Sequence, residues 1–264
     1  MPSVTEDEAR ERRPGAQTAC YVYGIVPANA SAPDARGVGD PPGRVSLVRH
    51  GDIAALVSEV DLSRPLGAPE DLLAHKQLLD AASAEEPVLP MRFGGVVTGP
   101  DAVASELLEP HHDEFAAALD EISGRAQYVV SGRYDEQAIL AEILAEEPEA
   151  VRLQEAIRGQ DEAVSRATRI QLGEVIGNAV AARRDADTAE AARALEPLCD
   201  VIAVREPSHE FGSAHLALLA DKAREADIKQ AYDELAGRWE GRVKLRLLGP
   251  MAPYDFVSTP VPGG

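Results

Sequence analysis

Val243-Lys244-Leu245-Arg246-Leu247-Leu248-Gly249-Pro250-Met251-Ala252-Pro253-Tyr254-Asp255-Phe256-Val257 reads as a strand that turns into a tail. Apolar and basic side chains alternate from Val243 to Leu247, so Val243, Leu245 and Leu247 share one face of a half-buried strand. Gly249-Pro250 is expected to end that strand, because proline cannot donate to a ladder. Beyond it, Pro250 and Pro253 stiffen a segment that carries Tyr254, Phe256 and Val257, where a solvated tail would be polar. The tail, residues 250–264, is therefore expected to dock on the N-terminal half of the chain. Val88-Leu89-Pro90-Met91-Arg92-Phe93-Gly94-Gly95-Val96-Val97 is the receptor we anticipate there.

Upstream of that strand the pattern is regular. Gln127–Ser131 predicts a strand, and Asp135–Ala145 a helix with Ile139, Leu140, Ile143 and Leu144 on one face. A helical region follows from Glu149 to Leu195, interrupted near Gly159, with Leu172, Val175, Ile176, Ala179 and Val180 as its apolar stripe. Within it Gly173 and Gly177 are expected to let the helix pack closely on a sheet. Leu198–Val204 and His215–Ala220 read as strands, and Glu225–Trp239 as a helix burying Ile228, Ala231, Tyr232, Leu235 and Trp239. Strand, helices, strand, strand, helix, strand is the βαββαβ order of a ferredoxin-like fold, here with an enlarged helical crossover. The fold class expected is α+β with two domains: a ferredoxin-like C-terminal domain over 125–249 and an N-terminal α+β domain over 18–124.

The N-terminal domain opens on a strand, Cys20–Val26, followed by a hairpin of Val45–Val48 and Ile53–Val57 around His50-Gly51-Asp52. A helix from Pro69 to Ala84 is expected to bury Leu72, Leu73 and Leu79. Gly99-Pro100-Asp101 starts another, stopped by Pro110, and Phe115, Leu119 and Ile122 line a third that ends at Gly124. Residues 1–17, with Glu6-Asp7-Glu8 and Glu11-Arg12-Arg13, read as a disordered leader without the apolar stretch of a secretory signal.

With 264 residues, 45% of them hydrophobic, the chain can bury a real core. Its 26 basic and 45 acidic side chains leave a net charge of −19, which repels nucleic acid and anionic membranes. No apolar run approaches the roughly 20 residues that span a bilayer. Cys20 and Cys199 lie in apolar runs and are expected to be buried, reduced thiols of a cytoplasmic protein.

Catalytic patterns do not emerge. His111-His112-Asp113-Glu114 points adjacent side chains about 100° apart on a helix, which does not converge on one ion, so no metal and no cofactor are expected. Gly37-Val38-Gly39 and Gly94-Gly95 lack the flanking residues of phosphate loops and are assigned to turns. No serine sits in a nucleophile elbow, and no cysteine has a nucleophile signature. Arg92, a lone charge in an apolar run, calls for a carboxylate or carbonyl partner if buried, and Asp255 or the docked tail backbone could supply it.

Two of these stretches carry a resemblance. The Leu89-Pro90-Met91-Arg92-Phe93-Gly94 run and the Leu248-Gly249-Pro250, Pro253-Tyr254, Phe256-Val257 set, with Tyr21-Val22-Tyr23-Gly24-Ile25-Val26 at the start, are similar to the gas vesicle protein F/L family over Thr18 to Val257. Met251-Ala252 departs from it, because the family often places a bulky or proline pair there. The resemblance implies a non-enzymatic accessory protein for assembling the buoyancy organelle, working in the cytoplasm with the vesicle shell protein and other accessory proteins. Arg92, Phe93, Pro253, Tyr254 and Phe256 are the expected tail-docking or partner-binding residues. The residues alone leave a second reading open: a ferredoxin-like domain that binds a small regulatory ligand or carries unrecognised catalysis.

Overall fold

Ala19 to Val26 is apolar without alternation, the mark of a strand covered on both faces. In the computed structural model, which describes residues 18–207 and 209–257, this run is β1, Thr18–Pro27, and Ala19–Val26 are all buried. The expected leader and residues 258–264 of the tail lie outside the described residues. The fold is mixed α/β with two antiparallel sheets, and the chain divides into two compact units. The first runs to Ser123 and takes Val257; the second is Gly124–Phe256.

In the first unit the sheet order is β2 (Ser46–His50), β3 (Ile53–Asp61), β1, β4 (Leu89–Pro90), with β5 (Val96–Val97) also paired to β1. One face carries Cys20, Val22, Ile25, Ile53, Ala55 and Val57. It packs against a π-helical run, Val103–Leu108, that continues α2 (Pro100–Ala102), and against Phe115, Leu119 and Ile122. Phe115 and Leu119 project from α3, His112–Glu121.

The other face meets α1, Pro69–Glu85. Its buried side is Ala74, His75, Leu78, Leu79, Ala82 and Ser83, whereas Leu72 and Leu73 are 50% and 54% exposed. The expectation that these two leucines are buried is therefore corrected. They lie in a first turn held by Asp71, whose carboxylate accepts from Gly39 N at 3.0 Å and from Gly67 N and Ala68 N at 3.2 Å. Burial begins only at Ala74.

The second unit's sheet has the order β7 (Val201–Val204), β8 (Gly212–Asp221), β6 (Arg125–Tyr134), β9 (Val243–Met251), antiparallel throughout. Three helices join β6 to β7: α4 (Glu136–Glu146), α5 (Pro148–Ile157) and α6 (Glu162–Leu195). The last helix, α7 (Glu225–Arg238), joins β8 to β9. Tyr128, Val130, Leu216, Leu218, Val243, Leu245 and Leu247 face the helices and meet Ile139, Ile143, Val180, Ala191, Leu195, Ile228, Leu235 and Trp239. Fully burying one such aliphatic side chain contributes about 1.5–3 kcal/mol. Asp187 is buried among them. It accepts a 2.5 Å bond from the Tyr134 hydroxyl and is bridged at 2.7 and 2.8 Å by Arg242, whose guanidinium lies over the Tyr134 and Trp239 rings. A buried carboxylate needs such a partner.

Four expectations change here. β9 does not stop at Gly249-Pro250 but runs on to Met251. The register slips between Gln127 and Val129, so Pro250 occupies the irregularity where no ladder donor is needed. β7 begins at Val201, because Glu196–Leu198 complete a 3₁₀ turn after α6. Gly173 and Gly177 are exposed, and a Cβ on either would meet nothing within 4 Å, so they do not serve close packing. Cys20 is buried but Cys199 is only half-buried, at the edge of the core. Among the described residues no helix is long and apolar enough to cross a membrane.

Candidate functional site

The run from Met91 to Gly95 is held on β1 by backbone and hydroxyl together. Met91 N donates to Tyr23 O at 2.8 Å, and Val22 N to Gly95 O at 2.9 Å. Between these two bonds Gly94 N donates to the Tyr21 hydroxyl at 3.1 Å. That hydroxyl also bonds His75 Nδ1 at 2.9 Å, and the Phe93 ring stands edge-on to His75, with centroids 5.6 Å apart. Tyr23 beside it bonds Ser58 at 2.7 Å and accepts from Val38 N at 2.7 Å. Burial presses the His75 imidazole down to about 4, partly offset by the Met91 backbone, so it is neutral at physiological pH. Burial likewise pushes the Tyr21 and Tyr23 hydroxyls up, which keeps them protonated and able to donate. Period-two alternation then does the rest: Met91 points in, Arg92 is exposed and Phe93 is half-buried. A charge at that position is solvated rather than buried.

The tail is held by a different kind of clamp. Gln127, 1% exposed on β6, turns its amide to the far side of the second sheet. Its Oε1 accepts from Asp255 N at 2.9 Å, and its Nε2 donates to the Asp255 carboxylate. Arg205 Nε reaches the same carboxylate at 3.3 Å. Within the second unit the partners of Asp255 are thus Gln127 and Arg205. Phe256 packs with Val129, Ala217 and Met251 on this outer face. Residues 251–256 thus lie along the second unit's own sheet, and Val257 belongs to the first unit's core cluster. The prolonged strand β9 is the reason, since it carries the tail along the sheet to Met251 before releasing it.

Of the five residues expected to form a site, Pro253 is buried, Phe93 and Phe256 are half-buried, Tyr254 is 37% exposed and Arg92 is exposed. The sequence reading missed Tyr21, His75, Gln127 and Arg205. Tyr21 and His75 stand 54 positions apart, so only the fold joins them. His112, from the run that was not expected to converge on an ion, is engaged by two acids. Its Nε2 bonds Asp52 at 2.7 Å and its Nδ1 bonds Asp113 at 3.0 Å, and it covers the hairpin turn at Gly51. Among the described residues no three histidine, cysteine or acidic side chains converge on a point that could hold a metal.

Comparison with known proteins gives one answer. The family model described as gas vesicle synthesis protein GvpL/GvpF matches residues 19–258. Gas vesicle protein F of Streptomyces sp. (strain CB03234) is 36% identical over 246 residues, 90% of this chain and 99% of that protein. Gas vesicle protein L of the same strain is 29% identical over 268 residues, 90% of this chain and 92% of its own length. The crystal structure of gas vesicle protein GvpF from Anabaena sp. PCC7120 superposes with a TM-score of 0.75 at 23% identity, covering 92% of this chain and 99% of that one.

Proposed function

The chain belongs to the gas vesicle synthesis protein GvpL/GvpF family, whose role is in gas vesicle formation, and from that premise we propose that it is a non-enzymatic accessory factor of the cytoplasm. Its work is to bind the vesicle shell protein or other accessory proteins during assembly and to associate with the vesicle. The observation that carries this reading is the family match over 19–258, which takes in both the Leu89–Gly94 run and the tail.

The physics fits. A subunit destined for a gas-filled shell must present apolar surface before it assembles, and unshielded surface of that kind aggregates. A chain of net charge −19 that exposes a few large apolar side chains can cover such surface and stay dissolved. Arg92, Phe93, Pro253, Tyr254 and Phe256 remain the proposed contact set, and Leu72 and Leu73 join it on the ground of their exposure. We read the second unit as a ferredoxin-like domain, a reading its antiparallel order β7-β8-β6-β9 supports. The domain limits at 18–124 and 125–249, with a tail over 250–264, are part of the same proposal.

Deleting the gene from a vesicle-forming host is expected to remove or deform the vesicles, read by electron microscopy and flotation, and the intact gene should restore them. Normal vesicles in a deletion strain without a paralogue would overturn the proposal.

A further inference from the structure

We propose that the basic end of the second sheet's outer face docks an acidic helical segment of another protein. This rests on the reading that the chain works by binding other vesicle proteins. Val243, Leu245 and Leu247 turn toward the helices, so Lys244 and Arg246 of β9 stand on the opposite face. Arg133 of β6 is the cross-strand partner of Lys244, and Ser131 that of Arg246. The Lys244 side chain is 83% exposed, and Arg133 and Arg246 are exposed as well.

These cations are placed against the trend of the molecule. Among the described residues ten of this unit's fourteen arginines have a hydrogen-bond or ion-pair partner, and for six of them, Arg152 with Glu149 included, it is a carboxylate. Arg125 pairs with Asp200, Arg183 with Glu142 and Glu146, Arg205 with Asp255, Arg238 with Glu190 and Arg242 with Asp187. Among the described residues neither Arg133 nor Arg246 has a carboxylate partner, and Lys244 has only Asp135, at 4.0 Å. Like charges directly opposite on a sheet are unfavourable, so an incoming carboxylate would relieve a repulsion the folded chain carries.

The spacing suits a helix. Opposite side chains on a sheet stand about 5 Å apart and diagonal ones about 7 Å, while carboxylates three or four positions apart on a helix are about 5–6 Å apart. Half-buried Leu248, two residues on from Arg246 along β9, stands on the same face and with Phe256 supplies an apolar shoulder, so an amphipathic acidic helix fits better than an acidic coil. A nucleic acid would present a longer run of phosphates to a molecule of net charge −19 and would be repelled beyond the three cations.

The test uses the full chain and a fluorescein-labelled helical peptide with glutamate at every fourth position and leucines on the adjoining face. Its glutamine twin and a single-stranded oligonucleotide of equal charge are the controls. Fluorescence anisotropy is expected to show binding of the glutamate peptide alone, weakened at least about tenfold by roughly 0.5 M salt and by the double change R133E/R246E. R133Q/R246Q, which alters the surface less, should lose an intermediate amount, and circular dichroism checks that both variants fold. No binding of the peptide, equal binding of its glutamine twin or of the oligonucleotide, or undiminished binding by R133E/R246E each overturns the proposal. A vesicle-restoration assay keeps the two ideas apart. If the parent chain restores vesicles and R133E/R246E does so equally well, the docking surface falls while the assembly role stands. If the parent fails to restore them, it is the assembly role that falls.

Discussion

The two units each fasten an irregular, aromatic-bearing stretch onto a sheet by one polar side chain, and they do it with opposite electrostatics. In the first, the Tyr21 hydroxyl holds Gly94 and is itself held by neutral His75, all under cover of Phe93. In the second, Gln127 holds Asp255, and the carboxylate it grips is also paired with Arg205, 40% exposed. A neutral clamp in a dry site gains nothing from salt bridges and is vulnerable to protonation. A charged clamp at the rim is vulnerable to ionic screening instead. One fold therefore has two fasteners that fail under different conditions.

The largest expected contrast is steric. Gly94 and Gly249 both have positive φ, 94° and 129°, but a Cβ on Gly94 meets open space, whereas one on Gly249 would lie 2.7 Å from Gln127 O. Gly94→Ala should cost about 1–2 kcal/mol of backbone strain. Gly249→Ala should cost about 3 kcal/mol or more, because strand β9 must move off β6 as well. Thermal melts followed by circular dichroism read both variants, with Trp239 fluorescence reporting on the second unit, and equal losses for the two would erase the steric difference between the clamps.

The next contrast is in pH. His75 is held at about 4 by burial, below the 6.5 it would have in the unfolded chain. Between these values the unfolded chain binds the extra proton, so the contribution of the neutral ring is complete above pH 6.5 and is lost as pH falls toward 4. The loss amounts to about 3 kcal/mol at most. Urea titrations across that window should show a steep decline for the parent and a shallower one for His75→Gln. Identical slopes would assign the acid sensitivity to carboxylates instead.

The smallest effect concerns the charged clamp. Asp255→Asn keeps a polar group on Gln127 but gives up the pair with Arg205, for about 1 kcal/mol. Hydrogen exchange at the Asp255 and Phe256 amides should accelerate with salt in the parent and be insensitive to salt in the variant. A salt response of equal size in both would mean that Arg205 contributes nothing to holding the tail.

What the sequence made legible was periodic. Phe115, Leu119 and Ile122, Ile139 and Ile143, and Ile228, Leu235 and Trp239 recur at helical spacing and are buried as that spacing requires. The four strands of the second sheet could be placed to within a few residues for the same reason. What escaped was whatever depends on where an element ends against its neighbour. Leu72 and Leu73 have helical spacing too, but α1 reaches its core only at Ala74. Gly249-Pro250 looked like a stop, because a register slip that accommodates proline leaves no local trace. The clamps were invisible for a third reason: Tyr21 with His75 and Gln127 with Asp255 are long-range pairs of common residues, with no motif to mark them.

Helix α6 carries a mechanical consequence. Its 34 residues extend about 51 Å at 1.5 Å per residue, whereas β6, with ten residues, spans about 33 Å. Its contacts with the sheet core begin at Ile176; earlier, α5 packs beside it, and Gly173 and Gly177 add no side chains to stiffen it. Each of those glycines weakens the helix by about 1 kcal/mol relative to alanine. The first half of α6 is thus held by α5 rather than by the sheet, while its C-terminal half is anchored in the core. A load applied to that first half would therefore pass to α5 before it reached the sheet.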